Sequence, residues 1–317
     1  MNFLPGRHAD EALIAPQSFD ASIQIQGVSS ALMAGLFHGS ARARAHWKPG
    51  LELTAGLCGA TDDETASPWK KDLPDGLVTL HSGAPGSVRV EPDHAIIDTL
   101  LPQSLYLLLA QQWARAGLML VHGAAFEFEG KGILALGDKG AGKSVLTAAA
   151  LAAGARVVSD DWVMVGFDQS GGLRAERLRE FMMLRHGHAC DRLMSKLEGA
   201  RTVPLDNRPK SVLHYRDQPD ALRRQCLSSC AIDRIWLLQR PSSGRFGPSI
   251  REPASPVLAL AAVIRATMPL LFTRRFSHEA RLLRKTSDAA FAVSELCTVR
   301  AGTDLIEDPT PVLTSLT

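Results

Sequence analysis

The sequence predicts an α/β protein, because short apolar and β-branched stretches alternate with helix-forming stretches in its central and C-terminal parts. Two predicted strands, Leu118 to Phe128 and Gly132 to Leu136, lead directly into a glycine-rich loop. The alanine- and leucine-rich stretch SVLTAAALAAG follows the loop, and Gly154 ends it as expected of a helix. Beyond it, RVVSDDWVMVGF resumes the β-branched alternation of a strand.

The N-terminal part differs in character from the rest. Stretches such as ASIQIQGV and SVRVEPDHAIID alternate, so they predict short strands, whereas Thr61 to Gly76 has turn formers and mixed charge and predicts a long exposed loop. From Pro102 to Ala116 the residues favour a helix, with Gly117 as its stop. We therefore predict a smaller β-rich region over residues 1–100 and a larger domain over residues 101–317.

The C-terminal part continues the alternation of strands and helices. Arg234 to Arg240, RIWLLQR, predicts a buried strand, and PVLALAAVIRATMPLLF and SHEARLLRKTSDAAFAVSEL predict two helices. No internal repeat or low-complexity tract interrupts the pattern. The larger domain is thus expected to be one α/β unit.

Composition excludes several classes of protein. The 317 residues carry 35 basic and 33 acidic side chains, a net charge of +2, which does not indicate a nucleic-acid-binding surface. The 5 cysteines are scattered, so they predict inert thiols in a reducing compartment rather than a disulfide framework. No signal sequence is recognisable, and no apolar run reaches the roughly 18 residues of a membrane span. We expect a cytoplasmic protein without a membrane or nucleic-acid partner.

The glycine-rich loop carries the main functional signal. The segment GDKGAGKS, Gly137 to Ser144, matches the phosphate-binding pattern G-x-x-x-x-G-K-[ST]. Its glycines allow successive backbone N–H groups to converge on phosphate oxygens, and the following helix directs its positive end to the same place. A glycine turn with an exposed lysine is the structural alternative, which the strand before the loop and the helix after it make less favoured.

The chemistry of each loop position predicts an ATP site with Mg²⁺. Lys143 is expected to reach the β- and γ-phosphates, and the Ser144 hydroxyl is suited to ligate Mg²⁺. The predicted nucleotide-binding residues are Gly137, Asp138, Lys139, Gly140, Ala141, Gly142, Lys143, Ser144 and Val145.

An acidic pair, Asp160-Asp161, follows the predicted helix. Adjacent carboxylates beside Mg²⁺ and a triphosphate can provide both a hard oxygen ligand and a proton acceptor. Adjacent residues of a strand point to opposite faces, so both can reach one site only if the strand ends or bends there. A solvated turn or a helix cap is the alternative interpretation.

The segment Val121 to Val165 resembles the catalytic core of the HPr kinase/phosphorylase family and related bacterial kinases. In that family a His-Gly pair begins a strand, the phosphate loop follows, and an Asp-Asp pair comes after the loop helix. Here His122-Gly123, Gly137 and Asp160-Asp161 occupy those places. The resemblance implies an HPr-kinase-like (phosphoenolpyruvate carboxykinase-like) P-loop core with a mixed sheet.

The resemblance also implies roles for individual residues. Asp160 would be the general base that takes the proton of a serine hydroxyl, and Asp161 would assist the metal. The family's matching histidine lies close to the phosphates, which makes His122 a catalytic candidate beside Lys143, although a core histidine is an equal alternative.

The family's second signature, a Glu-x-Arg-Gly-like stretch, has no clean equivalent. Glu180 is the candidate for a further metal ligand, with Arg185 as its basic neighbour. Arg208 and Lys210, in NRPKSV, are candidates for residues that reach the transferring phosphoryl group, although charged loop residues are more often solvated. His186 and His188 lack a third ligand and do not predict a metal site.

Three functions remain open at this stage. The first is an ATP- and Mg²⁺-dependent kinase whose partner is a peptide or small protein with an acceptor serine, as in the kinases of lasso-peptide clusters. The N-terminal residues do not resemble the HPr enzyme, so they do not point to HPr as substrate, and the oligomers of that enzyme imply a homo-oligomer here. The second is an ATP-binding regulatory protein without kinase activity. The third is a small-molecule kinase of the same fold.

Overall fold

The structure is a computed structural model that describes residues 2–5, 11–26, 52–57, 68–73, 76–81, 86–92, 97–185, 201–205, 208–215, 218–240, 248–267 and 277–317. The chain divides into two compact units. Unit 1 comprises Met1–Leu120 and Met268–Thr286, and unit 2 comprises Val121–Thr267 and Ser287–Thr317. The fold is mixed α/β, with one large mixed sheet in unit 2.

The described strands of unit 1 form an antiparallel sheet in the order β1-β2-β3-β4-β7-β6-β5. They are β1 (Asn2–Pro5), β2 (Glu11–Ala15), β3 (Ile23–Gln26), β4 (Glu52–Leu57), β5 (Pro68–Leu73), β6 (Gly76–His81) and β7 (Gly86–Pro92). The sheet agrees with the β-rich region expected from the sequence. The long loop expected over residues 61–76 is wrong in part, since Pro68–Leu73 pairs in register with β6, which local turn formers do not reveal.

A long helix completes unit 1. Helix α1 (Ile97–Arg115) packs against β4 and β7, and its buried Trp113 donates from Nε1 to the Ala21 carbonyl at 3.2 Å. Arg115 donates from Nε to the buried Glu279 carboxylate at 2.9 Å. These contacts place α1 with the N-terminal sheet in unit 1, and the domain boundary after residue 100 stays a prediction.

The main sheet of unit 2 has the strand order β16-β12-β11-β8-β9-β17-β19-β18, with β10 paired to β8. A second sheet has the order β13-β15-β14. The strands are β8 (Met119–Phe128), β9 (Lys131–Gly137), β10 (Arg156–Ser159), β11 (Trp162–Phe167), β12 (Leu173–Arg177), β13 (Phe181–Arg185), β14 (Arg201–Leu205), β15 (Arg208–His214), β16 (Ser229–Ala231), β17 (Arg234–Leu238), β18 (Ile250–Pro253) and β19 (Glu295–Arg300).

The remaining helices are α2 (Lys143–Ala152), α3 (Asp220–Arg224), α4 (Pro256–Ala266), α5 (Ser277–Val293), α6 (Asp304–Glu307) and α7 (Pro309–Leu316). Unit 1 includes α5 as far as Thr286. Among the helices of the described ranges, none is both long enough and apolar enough to cross a membrane.

The centre of the main sheet explains where the loop lies. Strands β8 and β9 form a hairpin, while β17 runs parallel to β9 on one side and to β19 on the other. Since parallel strands end at the same edge of a sheet, the carboxyl ends of β9 and β17 lie together, and ligands of α/β sheets bind at such edges. The core beneath this edge is formed by Phe126, Ile133, Ala135, Leu146, Ala149, Ala150, Trp236, Leu238, Leu305, Leu313 and Leu316.

The helix after the loop has the boundaries that its sequence predicts. Gly142 precedes it with a φ of 97°, and Gly154 follows it with a φ of 89°. The Ala155 N–H donates to the Ala150 carbonyl at 2.9 Å and the Gly154 N–H to Leu151 at 3.1 Å, a glycine-terminated helix end. The alanine run packs closely on the strands because it carries little side-chain volume.

The cysteines with described side chains are free thiols, namely Cys226, Cys230 and Cys297. Burial raises the pKa of Cys226 to about 11 and that of Cys230 to about 12. Thiols with such pKa values hold their protons at neutral pH and are poor nucleophiles. Cys58 and Cys190 lie outside the described side chains.

Candidate active site

The glycine-rich loop connects the end of β9, at Gly137, to the start of α2, at Lys143. Gly140 has a φ of 83° and Gly142 a φ of 97°, backbone conformations that a side chain disfavours. The Ala141 N–H donates to the Asp138 carbonyl at 3.0 Å, which closes the turn. The loop therefore curls tightly between strand and helix, as a phosphate-binding backbone requires.

The N-terminus of α2 suits an anion. No side chain caps it by a hydrogen bond, and its first turn carries no acidic residue. The first N–H groups of a helix lack partners within the helix, and their dipoles favour negative charge. Ser144 is half-buried in this first turn.

Lys143 is 6% exposed and lies folded against the loop. Its Nζ donates to the Gly137 carbonyl at 2.6 Å and approaches the Asp138 carbonyl at 3.3 Å. Burial lowers the pKa of Lys143, while the carboxylates of Asp161 and Asp138 act in the opposite direction. The lysine is thus held at the loop by backbone oxygens and lies in the electrostatic field of the acidic pair.

The acidic pair lies between two strands rather than within one. Strand β10 ends at Ser159 and β11 begins at Trp162, so Asp160 and Asp161 form the connection. The Ser159 hydroxyl donates to the Trp162 carbonyl at 3.1 Å and accepts the Asp161 N–H at 3.3 Å. Because the two aspartates lie in a bend between strands, their side chains do not have to point to opposite faces of the sheet, and both can reach one site.

Asp161 is the centre of a charged group. His122 Nε2 lies 2.8 Å from its Oδ1, and Arg179 binds its Oδ2 through a guanidinium nitrogen. Its backbone carbonyl accepts the Gly123 N–H at 2.6 Å, which ties the pair to β8. Burial acts to raise the pKa of Asp161, but Arg179, His122 and Lys143 together hold that pKa below its ordinary value. Asp161 is therefore ionised at neutral pH.

Asp160 has the opposite environment. It is 3% exposed, its Oδ2 accepts the Met183 N–H at 3.2 Å, and its Oδ1 is buried without a hydrogen-bond partner among the described residues. Burial, followed by the charge of Asp161, raises its pKa from 3.8 to about 8. The two neighbouring carboxyl groups therefore have different pKa values. In enzymes, paired acids with such a difference take different roles.

The structure places Glu180 in another pairing. Arg177 donates to Glu180 from Nε at 3.2 Å and from a terminal nitrogen at 2.7 Å, and the same guanidinium lies 4.8 Å above the Tyr215 ring. Glu180 is 8% exposed. Its carboxylate is therefore engaged by Arg177 here, and its role as a metal ligand stays a prediction.

The basic candidates of the second signature lie on the small sheet. Arg185 ends β13, and its Cα pairs with that of Lys210 on β15, while Arg208 begins β15. Their side chains lie outside the described ones, so their proposed phosphate contacts stay predictions.

Sequence reasoning missed several residues of the site. Arg179 binds Asp161, and the buried Tyr215, whose hydroxyl has no hydrogen-bond partner in the described part of the chain, interacts electrostatically with Asp160. Arg240 and Arg265 reach the loop itself. None of them belongs to a recognisable motif, because each lies in a separate segment of the chain and reaches the site only when the chain folds.

Aromatic rings line one side of the acidic pair. The rings of His122 and Trp162 lie 5.4 Å apart between centroids, tilted by 36°, and both side chains are partly exposed. This contact holds the imidazole beside Asp161.

The donor chemistry fits Mg²⁺ held jointly with phosphates. Within the described ranges, no three His, Cys, Asp or Glu side chains form a metal cluster. Mg²⁺ normally takes one or two carboxylates plus substrate phosphates and waters, so a closed protein cage is not required. The Ser144 hydroxyl and the ionised Asp161, which interacts with Lys143, are oxygen donors of the expected kind.

Comparisons with known proteins give a structural likeness but no sequence match. No protein-family model matches the chain, and no curated protein matches it either. Among solved structures, it is similar to the HPr(Ser) kinase/phosphatase from Coxiella burnetii, with a TM-score of 0.30 and 11% sequence identity, over 62% of this chain and 93% of that chain. A likeness of this size carries no functional conclusion, so the function has to be inferred from the site.

Proposed function

We propose that the protein is an ATP- and Mg²⁺-dependent kinase with an HPr-kinase-like core, which transfers the γ-phosphoryl group to a hydroxyl, most simply a serine of a peptide or small protein. One observation carries this proposal: Lys143 is buried against the loop, its Nζ 2.6 Å from the Gly137 carbonyl, and the charge of Asp161 acts to raise its pKa. A nucleotide-holding lysine and an acidic pair at one place are the minimum that phosphoryl transfer needs.

The binding part of the proposal rests on the loop. The curled backbone from Gly137 to Gly142 and the uncapped start of α2 offer N–H groups and a positive dipole to the phosphates. Lys143 would exchange its carbonyl partners for phosphate oxygens. Mg²⁺, held by Ser144 and Asp161, would supply charge neutralisation at the phosphates.

The proton-transfer part rests on the contrast between the two acids. Asp161 is ionised and engaged by His122 and Arg179, which suits a fixed charge beside the metal. Asp160 has an unpaired oxygen and a pKa of about 8, close to working pH, as an effective general base requires. We assign the acceptor proton to Oδ1 of Asp160.

The proposed transfer breaks two bonds and forms two. The acceptor O–H bond breaks and its proton goes to Asp160 in its ionised form, which becomes populated as the pH approaches 8, while the oxygen forms a bond to the γ-phosphorus. The bond from that phosphorus to the β–γ bridging oxygen breaks, and ADP leaves with the electron pair. His122 and Arg179 keep Asp161 oriented during the transfer, so catalysis consists of positioning and electrostatics.

Incubation with γ-labelled ATP, Mg²⁺ and a set of serine-containing peptides tests the proposal. Wild-type protein should transfer the label, and Asp160→Asn should bind ATP but not transfer it. Asp220→Asn, which removes an exposed carboxylate of α3, is the matched control and should retain activity. Normal transfer by Asp160→Asn would contradict the assigned role, and mass spectrometry of the product separates a peptide acceptor from a small molecule.

The burial of Asp160 favours one second candidate, an ATP-binding regulatory protein. A side chain that is 3% exposed has to be reached by the acceptor hydroxyl before it can act as a base. If wild type binds ATP and no acceptor is labelled, while Asp160→Asn binds ATP equally well, this second candidate is preferred. Absence of ATP binding would contradict both candidates.

A further inference from the structure

The phosphate loop contains a carboxylate whose negative charge repels the phosphates of the proposed ligand. Asp138 is the second residue of the loop, and its charge reaches Lys143, whose pKa it acts to raise. A negative charge within the field of the loop repels the several negative charges of a polyphosphate. The loop motif accepts any residue at this position, so the motif does not explain how the repulsion is offset.

Arg265 offsets it directly. Its Nε lies 2.9 Å from Oδ1 of Asp138, and the residue belongs to the last turn of α4. Helix α4 packs against β9 and β17, the two parallel strands whose carboxyl ends border the loop. The fold therefore delivers this guanidinium to the loop from a segment more than a hundred residues away.

A second arginine reaches the loop from another element. Arg240, which follows β17, donates to the carbonyl oxygen of Lys139, and its guanidinium occupies the space where a Cβ on Gly140 would lie. Arg240 binds a backbone oxygen, whereas Arg265 binds a charged group. Of these two arginines, Arg265 is therefore the one that forms an ion pair with a charged side chain of the loop.

Stability does not explain the Arg265–Asp138 pair. The two side chains are 57% and 64% exposed, and ion pairs this exposed contribute little to folding because water screens them. Their effect on a ligand with several charges is larger, since each ligand charge interacts with the carboxylate. The pair is therefore expected to influence binding more than folding.

We propose that Arg265 is a charge-compensating residue of the nucleotide site: it neutralises Asp138 and so permits the loop to hold a polyphosphate. The inference rests on the proposed function, in that ATP is the ligand. Arg265 acts through Asp138, so it is a positioning residue rather than a catalytic one. Its effect should depend on the charge at residue 138 and on ionic strength.

A charge-repair experiment tests this, with calorimetric titration of the full chain by Mg²⁺-ATP at low and high NaCl. At low salt, Arg265→Ala should weaken ATP binding by about five- to tenfold, and at high salt by less than about twofold. The double variant Arg265→Ala/Asp138→Asn should bind within about twofold of wild type, because the uncompensated charge is gone.

A matched pair on α3 controls for the loss of any exposed arginine. Arg223 pairs with Asp220, and their side chains are 56% and 77% exposed. Arg223→Ala should leave ATP affinity unchanged. Unfolding midpoints of all ligand-free variants should agree, which excludes a general loss of structure.

Each outcome decides the inference. Wild-type affinity in Arg265→Ala overturns it, and so does a double variant as weak as the single one, since that result means the pair acts as a structural brace. If wild type itself binds no ATP, the nucleotide function fails together with the inference. ATP binding without coupling between residues 138 and 265 overturns the inference alone.

Discussion

The phosphate loop and the acidic pair form one site by different means. The loop is made from consecutive residues whose backbone conformation is local, with Gly140 and Gly142 at positive φ and α2 starting at once. The acidic pair acquires its properties from distant residues: His122 on β8, Arg179 after β12 and Met183 on β13. A local motif is readable from sequence, whereas electrostatic character depends on partners that the fold supplies.

The largest expected effect is that of a substitution in the loop. In the proposed function the charge of Lys143 meets the phosphates, so we expect Lys143→Ala to lower turnover by about a thousandfold or more. Steady-state kinetics with labelled ATP measures it. Lys139→Ala, a change at an exposed loop residue, is the control and should lose far less. Equal losses of turnover in the two variants would contradict a specific role for Lys143.

The next change removes a buried ion pair beside the acidic pair. Arg177→Ala leaves Glu180 buried without its guanidinium, and we expect a loss of about 3 kcal/mol in the free energy of unfolding, measured by urea denaturation. Arg223→Ala breaks an exposed pair and should cost less than about 0.5 kcal/mol. Comparable losses for both variants would mean that burial does not increase the contribution of the ion pair to the free energy of unfolding.

Arg179 tests the long-range half of the comparison. Arg179→Ala removes the guanidinium that binds Asp161, and we expect the catalytic constant to fall by about a hundredfold with a smaller change in ATP affinity. Arg179→Lys keeps the charge without the planar geometry and should recover part of the activity. An effect on ATP affinity alone would place Arg179 in binding instead.

Asp160 tests the electrostatic half of the comparison through its response to pH. Its pKa is raised from 3.8 to about 8 in the folded state, so the native protein retains a proton that the unfolded chain releases. Its contribution to stability is therefore fully present below pH 3.8, declines as the pH rises, and is lost above about pH 8.

Asp160→Asn should remove this dependence, because the amide preserves the shape of the side chain but does not titrate. Relative to wild type, the variant should gain about 5 kcal/mol between pH 4 and pH 8 in urea unfolding. Asp220→Asn, at an exposed carboxylate, should show no comparable gain. Parallel pH profiles for wild type and Asp160→Asn would contradict the raised pKa.

Much of the central fold was predictable from sequence. The strands around residues 118–136, the loop, and helix α2 with its end at Gly154 lie where the residue pattern places them. Strands β12 to β16 were not anticipated, because their short segments are held by pairing with distant strands rather than by local preference. The same reason hid the strand Pro68–Leu73 in a segment rich in turn formers.

The candidate site shows the same division. The motif identified Lys143 and Ser144, and the spacing drew attention to Asp160 and Asp161. The sequence offered no basis for Arg179 or Arg265, since an isolated arginine has no pattern that marks a partner far along the chain. The sequence also proposed Glu180 as a metal ligand; the structure shows that carboxylate paired with Arg177, and its metal role stays a prediction.

By itself, the sequence determined the α/β class, the phosphate loop and the presence of two adjacent acids after its helix, because each depends on residues close together in the chain. Only the tertiary structure decided that Asp161 is ionised beside His122 and Arg179, that Asp160 is buried with a raised pKa, and that Arg265 neutralises Asp138. The physical reason is that burial and charge pairing depend on distances in space, and those distances exist only once the strands and helices have packed.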